Sequence, residues 1–106
     1  MSQREALEVI KQYIRLLNSS GITIYKAYLY GSYAKNQASL ESDIDVLLVS
    51  KSFDEPGIEA KTQVWALTRQ IDTRIEPYAI GINKFLSDDI SPLLHIVKNE
   101  GIEIIA

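Results

Sequence analysis

The eight residues from Asp43 to Ser50, DIDVLLVS, constrain this chain more than any others. Val46 to Val49 form an unbroken apolar run, which reads as a strand lying inside a sheet. Yet two aspartates stand at its mouth. On a strand, residues two apart share a face and lie about 6.6–7 Å apart. Asp43 and Asp45 are therefore expected to project together, with Ile44 and Val46 turned to the opposite face. Two carboxylates about 5 Å apart, at an effective dielectric near 20, repel by about 3 kcal/mol. A half-buried pair of this kind calls for a cation. Magnesium suits it, being held by one or two carboxylates while water and substrate phosphates fill its shell. The plain alternative is a pair of solvated residues capping a loop, and D-x-D alone is too short to choose.

The surrounding chain supplies context. Residues 4–17, REALEVIKQYIRLL, place Leu7, Ile10, Ile14 and Leu17 on one helical stripe, and Gly21 suits a left-handed cap behind it. Residues 22–30, ITIYKAYLY, read as a strand. A short helical turn after Gly31-Ser32 and a loop through Glu41 lead to the strand at 43–50. Residues 58–71 read as a second long helix with Val64, Leu67 and Ile71 inward, and Trp65 is expected to pack on the sheet, with stacking on a base as the alternative. TRIEPYAIG, 73–81, reads as a third strand whose Pro77 places it at an edge or bend. Ser91 as N-cap, Pro92 in the first turn and Gly101 past the end delimit a further helix. IEIIA, 102–106, closes as a short strand. The order α-β-α-β-α-β-α-β predicts an α/β (α+β) fold with a mixed sheet flanked by helices, in one domain spanning 1–106.

A glycine at a strand end followed by a helical turn lets backbone N–H groups approach an anion closely. Gly31 and Ser32 stand at such a place, Ser32 adds a hydroxyl, and Lys35 lies within reach of a phosphate. An ordinary strand-to-helix turn would use the same residues. Together with Asp43 and Asp45, however, the turn has the layout needed for a magnesium-bound nucleoside triphosphate. The tyrosines around it, Tyr28, Tyr30 and Tyr33, are assigned to packing, with Tyr33 expected to be exposed enough to touch a nucleotide or be modified itself. His95 reads as a structural or surface histidine.

Composition closes off other classes. The 106 residues contain no cysteine, which excludes disulfides, thiolate zinc sites and cysteine nucleophiles. No apolar run approaches the roughly 20 residues of a membrane span and no signal peptide is evident, so a soluble cytoplasmic protein without a membrane partner is expected. A net charge of −3 argues against a passive nucleic-acid binder. It leaves room for a single nucleotide.

The stretch YGSYAKNQASLESDIDVLLV resembles the G-S-x-A-x-G…S-D-I-D-L signature of the minimal nucleotidyltransferases, within the DNA polymerase beta-like superfamily. The resemblance extends over essentially the whole chain. It implies the polymerase beta-like nucleotidyltransferase fold and transfer of AMP from ATP with Mg²⁺, two ions being expected. It assigns Gly31 and Ser32 to the triphosphate and Asp43 and Asp45 to the metals. A third carboxylate on the following strand completes the family's site, and Glu76 is the candidate here, as catalytic group and metal ligand; an ion pair with Arg74 is the competing reading. Asn36 stands where the family has a second glycine, and asparagine tolerates the left-handed backbone such a turn needs. The two metal ions, about 3.5–4 Å apart, would stabilise the attacking and leaving oxygens of an in-line displacement.

Larger relatives carry a second domain for the acceptor, so here the acceptor is expected to be bound by, or to be, another protein. The resemblance implies a HEPN-type toxin as that partner, modified on a tyrosine, with this chain as its antitoxin. The alternative is a nucleotide-binding antitoxin that neutralises its partner by association alone. An apolar sheet edge in GIEIIA is expected to meet that partner, or a second copy in a homodimer.

Overall fold

The computed structural model describes residues 1–87 and 91–105. Helix α1, Gln3–Ser19, opens on a capping box in which Ser2 and Glu5 satisfy each other's backbone N–H groups. Its buried stripe is Ala6, Ile10, Tyr13, Ile14 and Leu17. Gly21 follows with φ of 94°, the left-handed stop expected of it.

The first strand, β1 (Lys26–Tyr30), begins four residues later than the apolar alternation suggested. Residues 22–24 are spent on the end of α1 instead. The Ile22 N–H donates to Leu17 O, and the Ile24 N–H donates to the Asn18 side chain at 2.9 Å. Strand β2, Ile44–Ser50, is buried at every position except Asp45. Asp43 therefore lies just before the strand and is exposed.

Helix α2, Ile58–Leu67, ends earlier than its periodicity indicated, because a 3-10 turn at Thr68–Gln70 replaces its last turn. The Thr68 hydroxyl, donating to Trp65 O at 2.7 Å, fixes that change. Only Val64 of α2 is buried, and Trp65 points outward, 51% exposed, where packing on the sheet was expected. The Tyr13 hydroxyl donates to Val64 O at 2.6 Å and ties α2 to α1.

Strand β3, Ile75–Gly81, runs straight into α3, Ile82–Ser87, a short helix that the sequence patterns did not announce. Helix α4, Pro92–Glu100, starts at the Ser91 cap and Pro92 as expected. The final strand β4 is only Ile102–Glu103, much shorter than 102–106. Its Glu103 pairs with Lys26 at 3.7 Å and Ile104 is buried, so of the expected apolar edge chiefly Ile105 is displayed. Short charged edges of this kind discourage pairing.

The sheet order is β3-β2-β1-β4. Strands β1 and β2 pair antiparallel, β2 and β3 parallel, and β1 and β4 antiparallel. This is an α+β architecture with a mixed four-stranded sheet. Ile44, Val46, Leu48, Leu29 and Ile75 pack with α1 and α2 in the larger core. Leu47, Val49 and Ile80 form a smaller cluster with Phe85 of α3 and with Leu94 and Val97 of α4.

Strand β3 is an edge strand, as Pro77 implied. The Ile44 N–H donates to Arg74 O at 2.8 Å. With the parallel register this turns the backbone groups of Glu76, Tyr78 and Ile80 toward β2, and those of Pro77 and Ala79 outward. The proline's missing N–H thus falls where no strand needs it. No helix of the described residues is long and apolar enough to cross a membrane.

Candidate functional site

Sheet register assembles the candidate site. Tyr30 stands opposite Asp45, and Asp45 opposite Glu76, so the three side chains form one row across β1, β2 and β3. Directly opposed residues share a face and lie about 4.5–5.5 Å apart at Cβ. That face is the one covered further along by α3 and α4. Ile44 and Val46 turn to the other face, as expected.

The three carboxylates differ in setting. Asp45 is half-buried, whereas Asp43 and Glu76 are exposed. Burial raises the Asp45 carboxyl above its ordinary value, followed by the charge of Glu76 and then that of Asp43. Glu76 is thus the stronger of the two neighbours, a ranking that the spacing of Asp43 and Asp45 alone did not reveal. The same environment acts on Tyr30, whose phenol is pushed up to about 12 by burial and then by Asp45, Tyr78 and Glu76.

Among the described residues none of these three carboxylates is in an ion pair. Arg74 takes Asp72 instead, donating from Nε at 3.0 Å and from Nη2 at 2.7 Å, so the competing Arg74–Glu76 pair does not form. Asp43, Asp45 and Glu76 are oxygen donors only, the chemistry a hard divalent cation prefers. The donor type therefore fits magnesium. Their placement is looser: no three acidic or histidine side chains of the described residues converge as a ready ligand set.

Beside this row lies the Gly31–Asn36 turn. Gly31 has φ of 75°, and a Cβ on it would overlap the Asp45 carboxylate. Glycine is required here twice, by the backbone and by that close approach. Within the turn, Lys35 N–H donates to Gly31 O, Asn36 N–H to Tyr33 O and Gln37 N–H to Ser32 O. The N–H groups of Ser32, Tyr33 and Ala34 have no backbone acceptor among the described residues. Successive unspent N–H groups at the head of a turn are an anion-binding arrangement.

Asn36 has φ of 59°, left-handed as anticipated for the residue replacing the second glycine. Asn36→Gly should leave the melting temperature nearly unchanged, whereas Asn36→Val should cost about 1–2 kcal/mol, read by denaturant titration. An equal effect of both would show that the backbone conformation is not what this position selects.

Two further contacts were not anticipated. Gln3 Nε2 donates to Tyr33 O at 3.0 Å and to Ala34 O at 3.2 Å, tying the turn to the start of α1. Lys35 pairs with Glu100 at 3.4 Å, both about half exposed, so the phosphate candidate is engaged by the last residue of α4. Tyr33 packs in the core as assigned, but at 1% exposed it is not open to a nucleotide or to modification, and its buried hydroxyl has no hydrogen-bond partner among the described residues. His95 is exposed on α4, as read.

A parallel pair lies beside an antiparallel one, with an acidic row and an amide-lined turn at one end of the sheet, a layout suited to a metal-bound nucleotide. The sequence agrees. A family model for the nucleotidyltransferase domain matches residues 7–104, and the chain belongs to that family. In fold it is similar to a crystal structure from Sulfolobus solfataricus described provisionally as a nucleotidyltransferase. That likeness has a TM-score of 0.64 and 19% identity, and covers 95% of this chain and 80% of that one. No curated protein matches the chain significantly.

Proposed function

We propose that this nucleotidyltransferase domain, residues 1–106, transfers AMP from ATP to a hydroxyl acceptor, a tyrosine of a HEPN-type partner, and so serves as a cytoplasmic antitoxin. The observation that carries the transfer reading is the meeting, at one sheet end, of the unspent N–H groups after Gly31 with a carboxylate row that makes no ion pair among the described residues. The tyrosine acceptor and the partner rest on the sequence resemblance alone.

In this reading Gly31 and Ser32 hold the triphosphate and Lys35 supplies positive charge to it. Asp43, Asp45 and Glu76 would hold Mg²⁺, which when bound neutralises phosphate charge and acidifies the acceptor hydroxyl. The acceptor oxygen bonds to the α-phosphorus as the bond to the β-bridging oxygen breaks, and pyrophosphate leaves. Glu76, outermost of the row, faces the acceptor and takes its proton.

The experiment is incubation of the protein with ATP labelled at the α-phosphate, Mg²⁺ and the partner. Label on a partner tyrosine is expected. Tight association without label would establish the second reading, a binding-only antitoxin.

Two variants probe the division of labour. Glu76→Gln should lower turnover by about 10²–10⁴-fold while Mg-ATP affinity stays near wild type, since the turn and Asp45 still hold the donor. Near-normal transfer would remove Glu76 from the chemistry. Glu100→Gln should free Lys35 and tighten Mg-ATP binding by about two- to fivefold in calorimetry, the scale of a surface pair. No change would mean that Lys35 does not serve the phosphates.

A further inference from the structure

On the open side of β3 lies a cleft of about 440 Å³, bordered by Phe53, Asp54, Lys61, Tyr78, Ala79 and Lys84. Four observations converge on it. First, the Pro77 carbonyl and the Ala79 N–H and C=O point out of the sheet, and no acceptor or donor for them occurs among the described residues. Second, the Gly81 end is closed: the Asp54 carboxylate lies against Gly81 and accepts from the Asn83 N–H at 3.3 Å. Third, Lys61 comes from α2 and Lys84 from α3, helices on opposite faces of the sheet, so the two lysines border the edge from both sides. Two acidic residues also border the cleft, Asp54 at its closed end and Glu55 at its rim, and neither lysine is in an ion pair among the described residues. Fourth, Tyr78 is 47% exposed and sits two residues from Glu76 on the same face, joining the cleft to the acidic row.

We infer that the open edge of β3 is the acceptor site, and that it takes an extended, acidic polypeptide segment as an added fifth strand. This rests on the transferase reading above. Outward main-chain groups spaced along a strand match the backbone of another extended chain, which small acceptors lack. Side chains of neighbouring residues in such a segment alternate between faces. Two adjacent acidic residues level with Ala79 would therefore meet Lys61 on one face and Lys84 on the other. At about 3.3 Å per residue, Glu76 lies about 10 Å, or three residues, away.

A hydroxyl-bearing residue three positions from that anchor extends the Tyr30–Asp45–Glu76 row by one member. Its oxygen can then form the bond to the α-phosphorus while its proton passes to Glu76 and pyrophosphate departs. Pro77 has a role in this. With no N–H to offer, it ends the pairing one residue short of Glu76 and leaves the acceptor residue free of the ladder.

The test uses the whole protein and a blocked octapeptide, Thr-Tyr-Val-Glu-Glu-Val-Tyr-Thr, which reads alike in both directions and keeps a tyrosine three residues from a glutamate. At millimolar peptide, the amide resonances of Ala79, Lys61 and Lys84 should shift. With α-labelled ATP and Mg²⁺, the peptide should acquire label. The same peptide N-methylated at alternate amides should bind at least tenfold more weakly. Ala79→Pro should lose peptide binding at least tenfold with Mg-ATP affinity within twofold of wild type. Lys61→Glu combined with Lys84→Glu should do the same, and it serves if the proline variant does not fold. Edge binding without label supports the site and removes the transferase reading. Undisturbed Ala79, Lys61 and Lys84 amides, or equal labelling of the N-methylated peptide, would overturn the proposal.

Discussion

Asp45→Asn is expected to abolish nucleotidyl transfer, by about 10³-fold, while leaving the fold at least as stable as before. The carboxylate is half-buried, opposed directly by Glu76 and unpaired with any cation among the described residues. Burial, then Glu76, then Asp43 hold its acid form above the ordinary value of 3.8. The folded chain therefore binds a proton at Asp45 more tightly than the unfolded chain does. Such a group favours folding below the ordinary carboxylate value and loses that contribution as pH rises through its raised value. At neutral pH the asparagine variant is free of this penalty. Its apo melting temperature should equal or exceed wild type at pH 7, and the gap should close as pH falls toward 3.8. A variant that is inactive and also melts well below wild type at pH 7 would make Asp45 a structural residue instead.

The second large effect is at Gly31. Alanine there must adopt φ near 75° and place its Cβ against the Asp45 carboxylate. The backbone alone costs about 1–2 kcal/mol. For a domain of this size each kcal/mol lowers the melting temperature by about 4–8 °C. Gly31→Ala should thus melt roughly 5–15 °C lower, and Mg-ATP binding should fall by more than tenfold because the turn and the carboxylate can no longer both keep their places. The comparison that isolates the cause is Gly21→Ala, since Gly21 also has positive φ but nothing within 4 Å of its Cβ position. Equal losses at the two glycines would leave no role for the contact with Asp45.

What could be read in the sequence was local. The period of two put Ile44 and Val46 opposite Asp45, the left-handed tolerance of asparagine placed Asn36, and the missing N–H of Pro77 marked an edge. Each depends on a few adjacent residues. The Tyr30–Asp45–Glu76 row was only half visible, because it needs the register of two strand pairs, and register is set by contacts distant in sequence. The Lys35–Glu100 pair is hidden for the same reason.

Where local signals were ambiguous, packing decided. Helix α2 carries apolar residues on two sides, and the hydrogen bond from Tyr13 chose the Val64 side, which left Trp65 outside. Tyr33 sits in a polar turn whose sequence suggests exposure, yet its ring fills the core beside α1. Ile22 and Ile24 alternate like strand residues but cap a helix. Helix α3 spans only six residues, too little periodicity to register.

The unequal split of the core has a consequence for hydrogen exchange. The face under α1 and α2 holds most of the buried side chains, whereas α3 and α4 are fastened through Phe85, Leu94 and Val97. At about 1.5–3 kcal/mol for each such side chain, that layer is the weaker cooperative unit. Amides of α4 should exchange through sub-global openings well below the free energy that governs β2. Those openings would bare Tyr30 and the Asp45 face while the five paired residues of β1 and the whole of β2 stay closed. In kinetic terms, the protein can uncover one side of its sheet many times over before it ever unfolds.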